Sequence, residues 1–469
     1  MDYYFLLNLT ILLIGLCSYF VQCLEYRDIV FLVLSQRNKY NYQLALDLKQ
    51  NIINQATTSK QDVPRVHFSH EEFSNVGDWI VLPLVPKLFA KHRNTSTWLV
   101  VCTENTRFNL PQLINTLSKY NPNKEIWLGH ALFDHEATII HHFAFHDAPE
   151  SFLYPNMASG FAISVPLLKK LSHRVKKLRD TDLEFSIDAS HEFAIFVWNK
   201  GRGPVLTHEV SFCVEEEPHC AAYVEPFVPC NKYVPNESIY FAVKTCSKFH
   251  KDRVRVVQNT WGKYVKNIAF FSDVEDKNIP TIDLAVPNTE YGHCGKTTAI
   301  LKYLSNEISL KAGIKWVIIA DDDTILGVSR LQQILSCYDS SDNITLGERY
   351  GYQAHTNQGY NYITGGGGMV FSATLVRTLA TRGVCTCPSN NTPDDMYIGV
   401  CLARIRINVV HCPMFHQARP TDYASAYLAS HAPVSFHKHW MLNPAAVYEK
   451  WFAEEDERAS NIVYQKTEL

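Results

Sequence analysis

A broad basic field is missing from this sequence. Its 44 lysines and arginines are outnumbered by 47 aspartates and glutamates, for a net charge of −3, so the chain lacks the electrostatic footprint of a nucleic-acid binder. The pairs Lys169-Lys170 and Lys176-Lys177 read as solvated helix faces. Low-complexity tracts are absent as well. With 469 residues, 46% hydrophobic and 19% charged, the composition excludes a disordered chain and suits two or three domains, each with its own core. The N-terminus lacks the usual basic start of a leader, yet Phe5 to Val21 is apolar and Val-Gln-Cys offers a cleavage site after Cys23. Residues 1–23 therefore read as a signal peptide or an uncleaved anchor, and either directs the chain into the secretory pathway.

Cysteine is scarce in the first half. Apart from Cys17 and Cys23, Cys102 stands alone in the first two hundred residues, while ten of the 13 cysteines follow from Cys213 onward. That imbalance predicts a disulfide-supported second half and a buried free thiol at Cys102. Sequons at Asn94, Asn236, Asn343 and Asn390 fit a lumenal protein. The chain ends KTEL, similar to the KDEL-type signal read by a retrieval receptor, with Thr467 in place of Asp.

What is present begins with WVIIADDDTILGVSRL, Trp316 to Leu331. Val317 to Ile319 read as a strand buried on both faces, and Ser329 to Leu335 as the apolar side of a helix. Asp321, Asp322 and Asp323 thus fall at a strand's C-terminal end, where open α/β sheets bind ligands. Three adjacent carboxylates there call for a cation or a set of donors, and Mg²⁺ or Mn²⁺ takes such oxygens. A helix cap is the alternative.

The same pattern occurs twice. Trp98 to His130 aligns without a gap on Trp316 to Glu348, Tyr154 to Leu171 on Tyr362 to Leu379, and His191 to Trp198 on Asp394 to Cys401. Three segments in one order point to a duplication. In the first copy the aspartates become Thr103-Glu104-Asn105, the glycine run shrinks to Gly160, and Asp394-Asp395 becomes His191-Glu192. The first half is therefore a catalytically silent copy. Leu113 and Leu117 are its expected core counterparts of Leu331 and Leu335, and Thr103, Glu104, Asn105 and Glu192 line a cleft freed from catalysis.

The second half keeps the chemistry. TGGGGMVFS, Thr364 to Ser372, offers side-chain-free backbone for a sugar or phosphate. PDDMYIGVCLARI starts an amphipathic helix with two carboxylates, one able to cap and the other to act as a general base. FHQARP presents His416 after an apolar strand, and Phe241 to Trp261 carries Lys244, Lys248 and Arg253. His135, His141, His142 and His146 do not form HExxH, since Ile139 holds the second histidine position, and read as helix-surface residues.

In this order these motifs resemble the fringe-like β1,3-glycosyltransferases of family 31, over roughly Asn236 to Trp451. NTEYGHCGKTTAILKYL, YITGGGGMVFS, MFHQARP and SFHKHW carry the likeness. The resemblance implies an α/β fold with two GT-A-like (Rossmann-like) domains, the N-terminal one degenerate: 24–210 non-catalytic, 211–235 a linker, 236–455 catalytic, and 456–469 a tail. It implies an inverting enzyme using Mn²⁺ and UDP-glucose, acting on O-linked fucose of thrombospondin type 1 repeats in the endoplasmic reticulum. Transfer of GlcNAc or galactose, or a non-enzymatic glycan-binding role, remains as the alternative. The implied metal ligands are Asp323, Asp321 and His416. The nucleotide-sugar falls to Lys244, Thr245, Arg253, Asp273, Lys296, Asp321, Asp322, Gly366 and Gly367. Asp395 is the implied base, with Asp394 the alternative.

Overall fold

Residues 24–467 are described by a computed structural model, except 74–76, 137–141, 143–147, 180–182, 231, 312 and 382. The expected leader lies outside them, as do His141 and His146.

Ile29–Leu34 (β1), IVFLVL, is buried at every position, as an unalternating apolar run must be when helices cover both sheet faces. It pairs in parallel with Arg65–Phe68 (β2) and with Trp98–Thr103 (β3). Thr106–Phe108 (β4) leaves the sheet. Trp127–Gly129 (β5), Phe161–Ser164 (β6) and Thr207–His208 (β7) complete the order β2-β1-β3-β6-β5-β7, with β6 antiparallel to both neighbours. Ala222–Val224 (β8) pairs antiparallel with β4.

The second half repeats this plan. Ile239–Lys244 (β9), Asn267–Ser272 (β10), Thr281–Asp283 (β11), Trp316–Asp321 (β12), Thr324–Leu326 (β13), Thr345–Gly347 (β14), Met369–Ser372 (β15), Val410–His411 (β16) and Ser435–His437 (β17) follow in chain order. The sheet runs β11-β10-β9-β12-β15-β14-β16. Apart from the added edge strand β11, each strand has a counterpart in the same place and direction, and the β13–β17 pair matches β4–β8. Register agrees as well: Trp98 faces Ser164 as Trp316 faces Ser372. Both serines accept the same backbone amide, from Ile126 and Ile344, and donate to Lys124 and Asp342. The duplication and the two GT-A-like sheets are thus present in the backbone. Leu113, Leu117, Leu331 and Leu335 are all fully buried.

The halves share surface. Phe185–Ser186 of the first adds a short strand to Arg349–Tyr352 of the second. Gln36 exchanges two hydrogen bonds with the backbone of His411, and Ala424 lies in the first half's core.

Two boundaries differ from expectation. Residues 211–235 are not a bare linker, because β8 and the Cys213–Cys220 disulfide belong to the first half's plan, and Cys230 is bonded to Cys337. The tail is not free at 456: Asp456 accepts the amides of Val328 and Ser329, at the open start of the helix Val328–Leu335, where four N–H groups lack partners of their own. Cys294–Cys387 and Cys385–Cys401 bring the disulfides among the described residues to four, and Cys102 is a buried free thiol. Among the described residues no helix is long and apolar enough to cross a membrane.

Candidate active site

β9 and β12 end side by side, with Lys244 in register with Asp321. Lys244 Nζ lies 2.9 Å from Asp321 Oδ1 and 2.6 Å from Asp394 Oδ2, at the start of the helix Asp394–Arg404. Thr297 also donates to Asp394. Burial opposes ionisation of Asp394, but Lys244 and Thr297 hold its carboxyl down at about 2. Asp322 accepts from Thr245 at 2.7 Å and from Arg253 at 3.1 Å, yet burial and the charge of Asp323 push it up to about 6.

Asp323 meets Arg253 at 2.9 Å and His437 Nε2 at 3.1 Å. Burial disfavours its charge, but the two partners hold its carboxyl well below the ordinary range. Asp321, Asp323 and His437 each offer a ligand atom within 4.8 Å of one another. His437 Nδ1 lies 3.0 Å from the carbonyl of Gln417 and donates there, while Nε2 donates to Asp323, which raises the pKa of the ring; loss of the Nε2 proton would turn a lone pair toward the aspartates. Two carboxylates and an oriented imidazole suit a hard to borderline divalent cation such as Mn²⁺.

The glycine run fits the same cluster. A Cβ on Gly366 would collide with the His437 ring. Gly367 donates to Gln417 Oε1, and Gly365 N lies 3.3 Å from Asp395 Oδ2. Among the described residues Asp395 otherwise accepts only its neighbour's amide, from Met396 at 2.7 Å. Burial, then the charge of Asp394, pushes it up to about 6. Lys296 donates to the Thr245 carbonyl and Asp273 accepts from Ser247 N, both beside the end of β9.

His416 is not in this group. It is fully buried, with Nδ1 3.0 Å from the Ser435 carbonyl and Nε2 3.1 Å from His431. It packs behind β17, the strand that carries His437 to the aspartates. His437 was missed because its place depends on β17 pairing with β13, which sets Thr324 opposite His437. The bare backbone at Gly366 was the available signal.

The first half shows what the site loses. Thr106 Oγ1 binds the Thr103 amide and the Ala158 carbonyl just as Thr324 binds Asp321 and Gly366. Around that shared frame Lys244 becomes Leu34, and His437 becomes Val224, which faces Thr106. With no ring to accommodate, Gly366 becomes Ala158. Gly160 and Gly368 survive together because both have positive φ, 76° and 94°. Glu104 is buried and accepts from Gln36 and Asn41. His142 is not a helix-surface residue either: it is buried between Asp134 and Asp188, at 2.7 and 3.1 Å, whereas His135 is exposed.

Comparison with known proteins agrees with this doubling. The Fringe-like family model matches residues 43–190 and again 234–466. The chain is 46% identical to Beta-1,3-glucosyltransferase of Mus musculus over 445 residues, 94% of this chain and 90% of the relative. It is 45% identical to the Homo sapiens protein of that name, over 94% and 88% of the two chains. Beta-1,3-N-acetylglucosaminyltransferase lunatic fringe of Gallus gallus is 26% identical over 38% of this chain and 54% of its own. Matched twice by one model and spanned almost end to end by these relatives, the chain belongs to the Fringe-like family and is a β1,3-linking glycosyltransferase of the hexosyltransferase class.

Proposed function

We propose that the second half transfers glucose from UDP-glucose, with inversion, to the 3-hydroxyl of O-linked fucose on thrombospondin type 1 repeats in the endoplasmic reticulum lumen. The observation that carries the reading is the grouping of Asp321, Asp323 and His437 beside a carboxylate, Asp395, that has no cation within ion-pair distance among the described residues. The donor is supported by the relatives named Beta-1,3-glucosyltransferase. The acceptor rests on the motif resemblance, and the lumenal compartment on that resemblance and on the four disulfides among the described residues.

In this mechanism Asp321, Asp323 and His437 are the residues that would hold Mn²⁺, which would supply positive charge against the diphosphate leaving group. Lys244 is committed to Asp321 and Asp394, which fixes both carboxylates and the start of the helix that carries Asp395. The acceptor oxygen forms its bond to glucose C1 on the face opposite UDP as the C1–O bond to UDP breaks. Asp395 takes the hydroxyl proton, for which a carboxyl near 6 is better matched than one held at about 2 by a lysine. Asp394 therefore positions and Asp395 reacts. Incubating the protein and Mn²⁺ with UDP-glucose, UDP-GlcNAc or UDP-galactose and an O-fucosylated repeat tests the reading. Transfer from UDP-glucose alone supports it, and transfer from UDP-GlcNAc alone replaces it with a fringe-type activity.

A further inference from the structure

The vestigial cleft of the first half is closed over rather than filled. Its floor is the counterpart of the catalytic site: Leu34, Thr103 to Asn105, Asn156 and Ala158. Its roof comes from the second half, through Tyr338, Arg349, His411 to Met414, Tyr423 and Tyr427. Between them lies a cavity of about 480 Å³, within the range of small-ligand sites. None of Asp321, Asp323, Asp394, Asp395 or His437 lines it.

The lining chemistry selects the class of ligand. A nucleoside diphosphate needs unpaired cations or a metal, and the cleft has replaced Lys244 by Leu34 and the aspartate ligands by Thr103 and Asn105. Of its arginines, Arg107 is paired with Glu225, and Arg349, whose Nε has no partner among the described residues, lies 4.4 Å from the Trp79 ring with Asp78 and Glu104 as acidic neighbours that offset its charge. What is left is aromatic surface from Tyr40, Trp79, Tyr154 and Tyr338, interleaved with amide and carboxylate groups and with His142, whose charge is taken up by Asp134 and Asp188. Flat rings against C–H faces and polar groups against hydroxyls suit a neutral sugar.

A second observation points the same way. Asn156 lines the cavity and is 1% exposed; its Oδ1 accepts the Ala158 amide, but its Nδ2 has no hydrogen-bond acceptor among the described residues. A buried donor left open is destabilising because its lost hydration is not replaced, and a ligand hydroxyl would satisfy it. Its counterpart in the catalytic cleft, Thr364, also has an unpartnered buried oxygen. We propose that the cavity between the two halves is a second, non-catalytic site that binds a neutral mono- or disaccharide, with Asn156 as a hydrogen-bond donor to it.

The test is saturation-transfer NMR on the full chain with methyl glucosides, fucosides, N-acetylglucosaminides and a glucosyl-fucose disaccharide. The panel shows which sugar is taken. Three variants are compared with the parent: Asp323→Ala, which disables only the catalytic cleft, Asn156→Leu, and Leu44→Trp, which fills the cavity from its half-buried wall. Thermal unfolding verifies that each is folded. Saccharide binding should persist in Asp323→Ala and weaken at least about tenfold in Leu44→Trp, and in Asn156→Leu if that chain folds. Binding lost in Asp323→Ala and kept in Leu44→Trp would assign all saccharide to the catalytic cleft and overturn the proposal, as would a panel in which nothing binds.

Discussion

Gly366 and His437 are complementary: the imidazole of His437 occupies the space into which any side chain at residue 366 would project. The first half has neither the glycine nor the histidine, which makes the pair a unit of the site and not two separate features. Gly366→Ala should therefore displace the ring from Asp323 and raise the Mn²⁺ concentration for half-maximal activity by at least about tenfold, with little change in unfolding temperature. A metal titration of the transfer reaction measures it.

Replacing His437 and His416 should give different outcomes. His437→Ala removes a ligand atom from the acid cluster and should cut turnover by at least about a hundredfold in a stable protein. His416→Ala removes a ring fully buried against His431 and Phe436 and should cost about 2–4 kcal/mol of stability while leaving the metal requirement of the folded fraction unchanged. Parallel denaturation curves and metal titrations separate the two.

The aspartate run and Gly-rich stretch were legible in the sequence because their members are neighbours, so strand and helix patterning alone placed them at one sheet edge. The duplicated core was legible for the same reason, and Leu113 and Leu117 are as buried as Leu331 and Leu335. His437 was not, since it stands 114 residues beyond its partner Asp323. The limits of the first half were missed because β8 is three residues long and its partner β4 lies more than a hundred residues earlier. His142 was misread because burial between Asp134 and Asp188 is a tertiary fact with no periodicity to announce it.

The pH dependence of transfer follows from Asp395. Only its ionised form accepts a proton, and burial together with Asp394 has moved its pKa up to about 6. Activity should thus be full above that pH and fall tenfold per unit below it, a single ionisation on the acid limb of a kcat/KM profile. Asp395→Asn should abolish the limb and lower transfer by about a hundred- to ten-thousandfold, with UDP-glucose binding retained. If Asp394→Asn behaves this way instead, the two roles are exchanged.

Lys244 is buried between Asp321 and Asp394. Lys244→Met leaves two carboxylates without their cation in a poorly solvated site, which should cost about 3–5 kcal/mol of stability at neutral pH. Chemical denaturation of the variant should show the loss, and adding Asp394→Asn should recover part of it.

Inverting β1,3 transfer from the second half is tested most directly by the structure of the product. The chain is incubated with Mn²⁺, UDP-glucose and an α-L-fucoside, and the disaccharide is examined by NMR. A β-configured glucose attached at the fucose 3-position is expected, absent when Asp395→Asn replaces the parent chain. An α-linked product, attachment at another hydroxyl, or undiminished transfer by Asp395→Asn would contradict it.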